Sequence, residues 1–294
     1  MQPPVQGPPA RPWMPGTGLG WCAFRWENGC HLLTLPMSRL SSLPAELHAA
    51  LVSRRLLKVI TGLTNRDPLA VERISRAAGG GGADLIDVAC DPALVQLAAK
   101  VSGLPICASA VDPDLFPAAV AAGATIVEIG NFDAFYPLGR RFGADEVLSL
   151  TRRTRRLLPS VVLSVTVPHI LPLDQQEQLA IDLAAAGADL IQTEGGTAAR
   201  PFSAGTLGLI EKAAPTLAAA HAISRALQSL EAPLPVLCAS GLSAVTLPLA
   251  IAAGASGVGV GSAVSRLDDE PAMIAAVRSL REALGAPLAV GIAS

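Results

Sequence analysis

The sequence predicts a (β/α)8 barrel of the aldolase type, and three observations carry that expectation. Eight short apolar runs alternate with helix-like patterns from Leu56 onward, the order expected of a parallel sheet wrapped by helices. The turns from helix to strand repeat themselves: Ala-Ala-Gly-Ala at 121–124 and 252–255, Ala-Gly-Ala-Asp at 186–189 and Gly-Gly-Ala-Asp at 81–84. Glycine there caps a helix in the left-handed conformation, and the alanine lets the chain lie flat against the next strand. Finally, two strand runs near the C-terminus, 236–239 and 257–260, pass directly into Ser240-Gly241 and Gly261-Ser262. Paired glycine turns after the seventh and eighth strands are where such barrels hold phosphate, because backbone N–H groups can approach an anion unobstructed and helix starts add positive dipole ends. Glycines that merely relieve crowding between strand and helix would look the same, so both readings stay open.

Taken in order, residues 1–36 hold six prolines between Pro3 and Pro15, several glycines and no periodicity, and read as a disordered tail ahead of a barrel domain at 37–294. A helical pattern at 43–51 precedes the first strand. Strands are expected at 56–61, 85–89, 106–109, 126–129, 161–166, 190–193, 236–239 and 257–260. Helix patterns fall at 69–78, 93–101, 115–122, 144–158, 174–186, 207–230, 244–253 and 271–284. The four glycines Gly79 to Gly82 read as a lengthened turn between helix and strand. No G-x-G-x-x-G opens the first helix, which argues against a dinucleotide-binding sheet.

Composition narrows the function classes. The 294 residues are 51% hydrophobic but only 3% aromatic, and the three tryptophans all precede residue 27, leaving a body packed from Ala, Val, Leu and Ile. A net charge of -2 supplies no field that would draw the chain to nucleic acid or anionic lipid. The five cysteines show no metal-type spacing and read as buried thiols of a reducing compartment. Neither a membrane-spanning run nor a signal-peptide core is evident, so a cytoplasmic setting is expected.

Several motifs carry a resemblance: K-V-I-T-G-L-T-N at 58–65, V-A-C-D-P at 88–92, E-I-G-N-F-D at 128–133, S-V-T-V-P-H at 164–169, Q-T-E-G-G-T at 192–197 and C-A-S-G at 238–241. Over about residues 56–284 the chain resembles the uncharacterised family named after hypothetical chloroplast open reading frame twenty-three, found in cyanobacteria and algal plastids. The resemblance implies an aldolase-like barrel in the cyanobacterial cytoplasm or the plastid stroma, and implies no particular reaction. The proline-rich tail and the run Gly79 to Gly82 depart from the family pattern.

Strand alternation points every second side chain inward, which places Lys58, Asp87, Glu128, Ser164, Thr166, Gln192 and Glu194 inside the barrel. One lysine among three carboxylates fits either an internal salt-bridge layer or a catalytic set in which one acid keeps its proton. His169, just after the fifth strand, reads as a proton shuttle or as polar surface, and Glu194 before a glycine turn suits a general acid or base. The catalytic candidates are therefore Lys58, Asp87, Glu128, Glu194 and His169; the phosphate candidates are Ser240, Gly241, Gly261 and Ser262, with no metal ligands expected. The aromatic segment 131–142 reads as a lid with an arginine for an anionic ligand, or as a local apolar cluster. Arg152, Arg153, Arg155 and Arg156 read as a solvated helix face. Proton-transfer chemistry on a phosphorylated small molecule is the favoured function, with Lys58 expected to keep its charge; an FMN protein using the same phosphate site, and a non-catalytic sensor or scaffold, are the alternatives. Assembly into a homo-oligomer is left open.

Overall fold

A computed structural model describes residues 39–195 and 200–285; the expected tail lies outside the described residues. Eight parallel strands close into a barrel in sequence order: β1 (Leu56–Ile60), β2 (Leu85–Ala89), β3 (Ile106–Ala110), β4 (Ile126–Ile129), β5 (Val162–Thr166), β6 (Leu190–Gln192), β7 (Val236–Ala239) and β8 (Gly257–Val260). Closure is made by β1 against β8, with Lys58 opposite Gly259. Every strand residue is buried, as expected where helices cover the outer face and side chains fill the inside.

The helices are α1 (Ala45–Val52), α2 (Pro68–Gly81), α3 (Pro92–Ser102), α4 (Phe116–Ala121), α5 (Ala144–Leu157), α6 (Leu173–Ala185), α7 (Gly205–Leu227), α8 (Leu247–Ala252), α9 (Ser262–Ser265) and α10 (Glu270–Ala283). Local chemistry sets their starts. Asp67, Asp91 and Asp269 each accept a backbone N–H of the first turn, and each is followed at the first or second helical position by proline, which has no N–H to lose. Gly82 and Gly103 close α2 and α3 at φ +84° and +67°, where a side chain would be strained. Among the described residues no helix is long and apolar enough to cross a membrane.

The barrel interior is layered. At the N-terminal end Leu56, Leu85, Cys107, Ile126, Val162, Leu190 and Leu237 form an apolar plug, and α1 lies against it through Leu47 and Leu51, with Leu43 just before the helix. Two residues further along β1 to β6 the layer turns polar, with Lys58, Asp87, Ser109, Glu128, Ser164 and Gln192, while β7 and β8 place Ala239 and Gly259 there; that layer supports the site described below.

Three expectations are corrected. Gly79, Gly80 and Gly81 do not lengthen a turn; they are the last residues of α2, and only Gly82 leaves the helix. A Cβ on Gly79 would stand 2.5 Å from Ser102 O, and one on Gly81 2.4 Å from Val277 Cβ, so the missing side chains let α2 pack tightly against α3 and α10. The helix after β7 begins at Leu247 rather than 244, because Ser243 and Thr246 tie a turn in which Ser243 N–H donates to Thr246 Oγ1 at 2.9 Å. Ser240 and Gly241 therefore lead into a turn and draw no dipole from α8. Finally, Arg155 is not part of a solvated face: half-buried, it donates to the carbonyls of Gly187, Leu158 and Val161 and pairs with Asp189 at 2.7 Å, whereas Arg152, Arg153 and Arg156 are exposed.

Candidate functional site

Alternation along the strands brings Lys58, Asp87 and Glu128 together in the middle of the barrel. Lys58 Nζ lies 2.7 Å from Glu128 Oε2 and 3.1 Å from Asp87 Oδ2, and all three residues are 0% exposed. Neutral donors complete the layer: Ser109 Oγ donates to Asp87 at 2.8 Å, Ser164 Oγ to Glu128 Oε2 at 2.7 Å, and Gln192 Nε2 to Glu128 Oε1 at 2.7 Å. Burial disfavours the Lys58 ammonium, but the charges of Glu128 and Asp87 outweigh it and raise its pKa, so the amine keeps its proton. Burial pushes the Glu128 carboxyl up, Lys58 pulls it down, and Asp87 adds to the upward push. The group is the internal salt-bridge layer that was one of two readings of these residues, and it is closed off: none of the three lines the cavity above it.

Glu194 does not join that layer. Strand β6 ends at Gln192, so the inward phase lapses before residue 194. Its carboxylate instead gathers groups from two loops beyond the strand ends: Asp133 N–H donates to Oε1 at 2.7 Å, Tyr136 Oη–H to Oε2 at 3.2 Å, and His169 Nδ1 stands 3.1 Å from Oε2 and 3.3 Å from Asp133 Oδ1. Burial lowers the His169 pKa, but the hydrogen bond and charge of Glu194, with the charge of Asp133, override it and leave it raised. Burial and the Glu194 charge raise the Tyr136 phenol, which stays a neutral donor. The rest of the aromatic segment forms a local cluster. Phe132 and Phe135 pack on Phe142 with centroids 4.5 and 5.6 Å away, and Arg140 covers Phe142 while pairing with Glu146.

At the C-terminal ends of the strands a cavity of about 600 Å³ opens, and Ser240, Gly241, Gly261 and Ser262 all line it. Three cations that the sequence did not single out share its wall: Arg200, Lys212 and Arg266. None of them forms an ion pair with another described residue, while Asp133 is the carboxylate among the lining residues. Lys212 runs along the β7 turn, its Cγ 3.3 Å from where a Gly241 Cβ would be. Two of the three non-glycine residues with positive φ among the described residues, Asn131 (+61°) and Ser240 (+76°), also line the cavity; backbone strain of this kind concentrates at ligand sites. Behind the β7 turn, Thr193 Oγ1 and Thr216 Oγ1 lie 2.6 Å apart; Ala239 N–H donates to Thr193 Oγ1, and Thr216 Oγ1 donates to Ala239 O, fixing Ser240 in place.

Comparison with known proteins agrees with this frame. The chain matches the family described as "Protein of unknown function (DUF561)" over residues 42–289. It is 44% identical over 225 residues to an uncharacterized protein ycf23 of Cyanophora paradoxa, covering 76% of this chain and 90% of that protein. It is 36% identical over 228 residues to the ycf23 protein of Porphyra purpurea, covering 78% and 84%. Among solved structures it is similar to QR15, an aldolase (TM-score 0.53, 20% identity, 72% of this chain and 91% of that one). It is likewise similar to 3-hexulose-6-phosphate synthase (TM-score 0.53, 17% identity, 78% and 99%). At these identities the likeness establishes the fold, an aldolase-like barrel, and nothing about the reaction.

Proposed function

We propose, from the premise that this chain belongs to the family described as Protein of unknown function (DUF561), that its barrel binds a phosphorylated small molecule and moves a proton on it, as an isomerase or epimerase does. One observation carries the reading: the two glycine turns after β7 and β8 face a single cavity together with Arg200, Lys212 and Arg266, three cations without a carboxylate partner among the described residues. Charge-assisted hydrogen bonds from such groups, added to backbone N–H groups, suit a phosphate dianion. The names of similar structures such as 3-hexulose-6-phosphate synthase point the same way for those proteins.

The proton-transfer part rests on the Asp133, His169 and Glu194 cluster. Asp133 lines the cavity and meets His169, whose ring is held in turn by the buried carboxylate of Glu194. An imidazole raised in pKa and oriented by carboxylates is suited to holding a proton for transfer and taking it back. Of the two carboxylates expected to act as base, Glu194 suits a role exerted through His169, whose ring it holds beside the cavity-lining Asp133, whereas Glu128 meets only Lys58, Ser164 and Gln192 in the layer below. Lys58 is unsuited to a Schiff base, which needs a neutral, accessible amine. The plastid relatives support a setting in the plastid stroma or the cyanobacterial cytoplasm.

A thermal-unfolding screen of phosphate esters against their unphosphorylated counterparts tests the reading. Esters alone should stabilise the protein, by about 2.7 kcal/mol at a hundredfold excess over Kd, and Lys212→Met should weaken the effect. Deuterium from solvent should enter the stabilising ligand, and Glu194→Gln should stop it. Equal stabilisation by esters and unphosphorylated compounds would sink the binding claim; exchange undiminished in Glu194→Gln would sink the chemical one.

A further inference from the structure

Gln192 ends β6 inside the polar layer, with 0% of its surface exposed. Its Nε2 donates to Glu128 Oε1 at 2.7 Å and more weakly to Thr166 Oγ1 at 3.3 Å. An ionised carboxylate only accepts, so this contact decides which end of the amide is nitrogen and turns Oε1 away from Glu128. That oxygen is buried and accepts no hydrogen bond from any described residue. A buried amide carbonyl without a donor is costly and rare, and where one occurs it asks for a partner.

The floor of the cavity lies beside it. A Cβ built on Gly259 would stand 3.4 Å from Gln192 Oε1, 3.0 Å from Ala239 Cβ and 3.1 Å from Ile60 Cδ1. Gly259, Ala239 and Ile60 all line the cavity. With no side chain on Gly259 the floor is thin next to the orphan oxygen; the space is tight against Ala239 Cβ and Ile60 Cδ1, and of these two the Ile60 terminal methyl is the one that can rotate away.

Resting on the phosphate reading above, we propose that Gln192 Oε1 accepts a hydrogen bond from a hydroxyl of the bound ester at Gly259, as the Ile60 terminal methyl swings aside. The ligand is then a short hydroxylated phosphomonoester. Gly259 and Gly261 are two residues apart, or roughly 6–7 Å along an extended chain. A phosphate held at the Gly261 turn reaches that far through about three carbons, judged by ordinary single-bond lengths. The buried Lys58–Glu128 pair acquires a task on this view: by holding the amide nitrogen, it presents only an acceptor to the ligand. Gln192 is a specificity-determining residue that discriminates for a hydroxyl by leaving its own oxygen unpaired when the hydroxyl is missing.

Titration calorimetry of the full chain with n-propyl phosphate and with glycerol 3-phosphate tests the proposal. The wild type should bind the hydroxylated ester about tenfold or more tightly than the propyl ester, the cost of leaving one buried acceptor unpaired. Gly259→Ala puts a methyl between the cavity and Gln192 while leaving Gln192 and the cations in place, so the ratio of the two affinities should fall to about one. Gln192→Met removes the acceptor itself and should lose the preference as well, circular dichroism confirming that the barrel is folded. Equal binding of the two esters by the wild type overturns the proposal and leaves the phosphate reading intact. A preference that survives in both variants also overturns it. Binding of neither ester overturns the proposal and the phosphate reading together.

Discussion

Replacing Lys58 by Met removes a buried cation and leaves two carboxylates facing each other in the barrel. Lys58 Nζ contacts Glu128 at 2.7 Å and Asp87 at 3.1 Å, and all three side chains are buried. Breaking a buried pair by removing one partner costs about 3–5 kcal/mol, because the charge left behind is uncompensated. Ser109, Ser164 and Gln192 still donate to the carboxylates, which holds the expected loss within that range rather than above it. At roughly 2–4 °C per kcal/mol for a domain of this size, the melting temperature should fall by about 6–20 °C. The sign of the pH effect follows from the pKa directions. The Lys58 value is raised in the fold, so its stabilisation is complete below the ordinary lysine range and disappears only as pH climbs through the raised value. Glu128 is already raised by burial and rises further without Lys58, so the variant should recover stability as acid protonates it. Urea unfolding at pH 8 and pH 5 measures both effects, and Lys58→Met/Glu128→Gln should regain part of the loss at pH 8. A single variant within about 1 kcal/mol of the wild type at pH 8, the range of exposed pairs, would refute the account of a closed salt-bridge layer.

Three further outcomes are expected. His169 has its pKa raised above 6.5 by Glu194 and Asp133, so it stabilises the fold fully below that value and progressively less as pH rises through the raised one; His169→Gln should flatten the pH dependence of urea stability over that window, and an unchanged slope would contradict the cluster. Burial pushes the Cys90 thiol up to about 12 and the Cys238 thiol up to about 11, and raises Cys107 as well, so in a Cys22→Ser/Cys30→Ser background a thiol reagent at pH 8 should label none of these three until the protein unfolds. Gly81→Ala drives a methyl to within 2.4 Å of Val277 Cβ, and overpacking should cost about 1–3 kcal/mol in urea unfolding; a neutral result would mean that α2 and α10 are not in close contact.

The barrel was legible because its strands are buried on both faces and therefore read as short apolar runs cut by glycine and proline; β2, β4, β7 and β8 begin and end where the pattern says. The period of two carries Lys58, Asp87, Glu128 and Gln192 inward as long as the chain stays extended. It failed at Glu194 for a physical reason: β6 is only three residues long, and the partners of Glu194 come from loops 25 to 61 residues away. The cations of the cavity were illegible in a different way. Lys212 looks like any helix residue and Arg200 and Arg266 like loop charges, until closure of β8 on β1 brings the loops after the strands around one space. The run Gly79 to Gly82 misled because glycine is read as a helix breaker, whereas packing of α2 against α3 and α10 demanded the absence of side chains more strongly than propensity opposed it.

The account turns on whether the cavity holds a phosphate ester, and a pair of substitutions at Gly261 asks this most directly. Among the described residues a Cβ on Gly261 would meet only Ile60 O at 3.6 Å and Ile60 Cβ at 3.8 Å, so there is room for both Gly261→Ala and Gly261→Asp, and circular dichroism should show both folded like the wild type. Calorimetric titration with n-propyl phosphate should then show the alanine variant binding within about threefold of the wild type. The aspartate variant, with a carboxylate placed against the dianion, should lose affinity by about a hundredfold, the scale of a like-charge contact of several kcal/mol reduced by solvent. Undiminished binding by a folded Gly261→Asp protein would contradict the central claim.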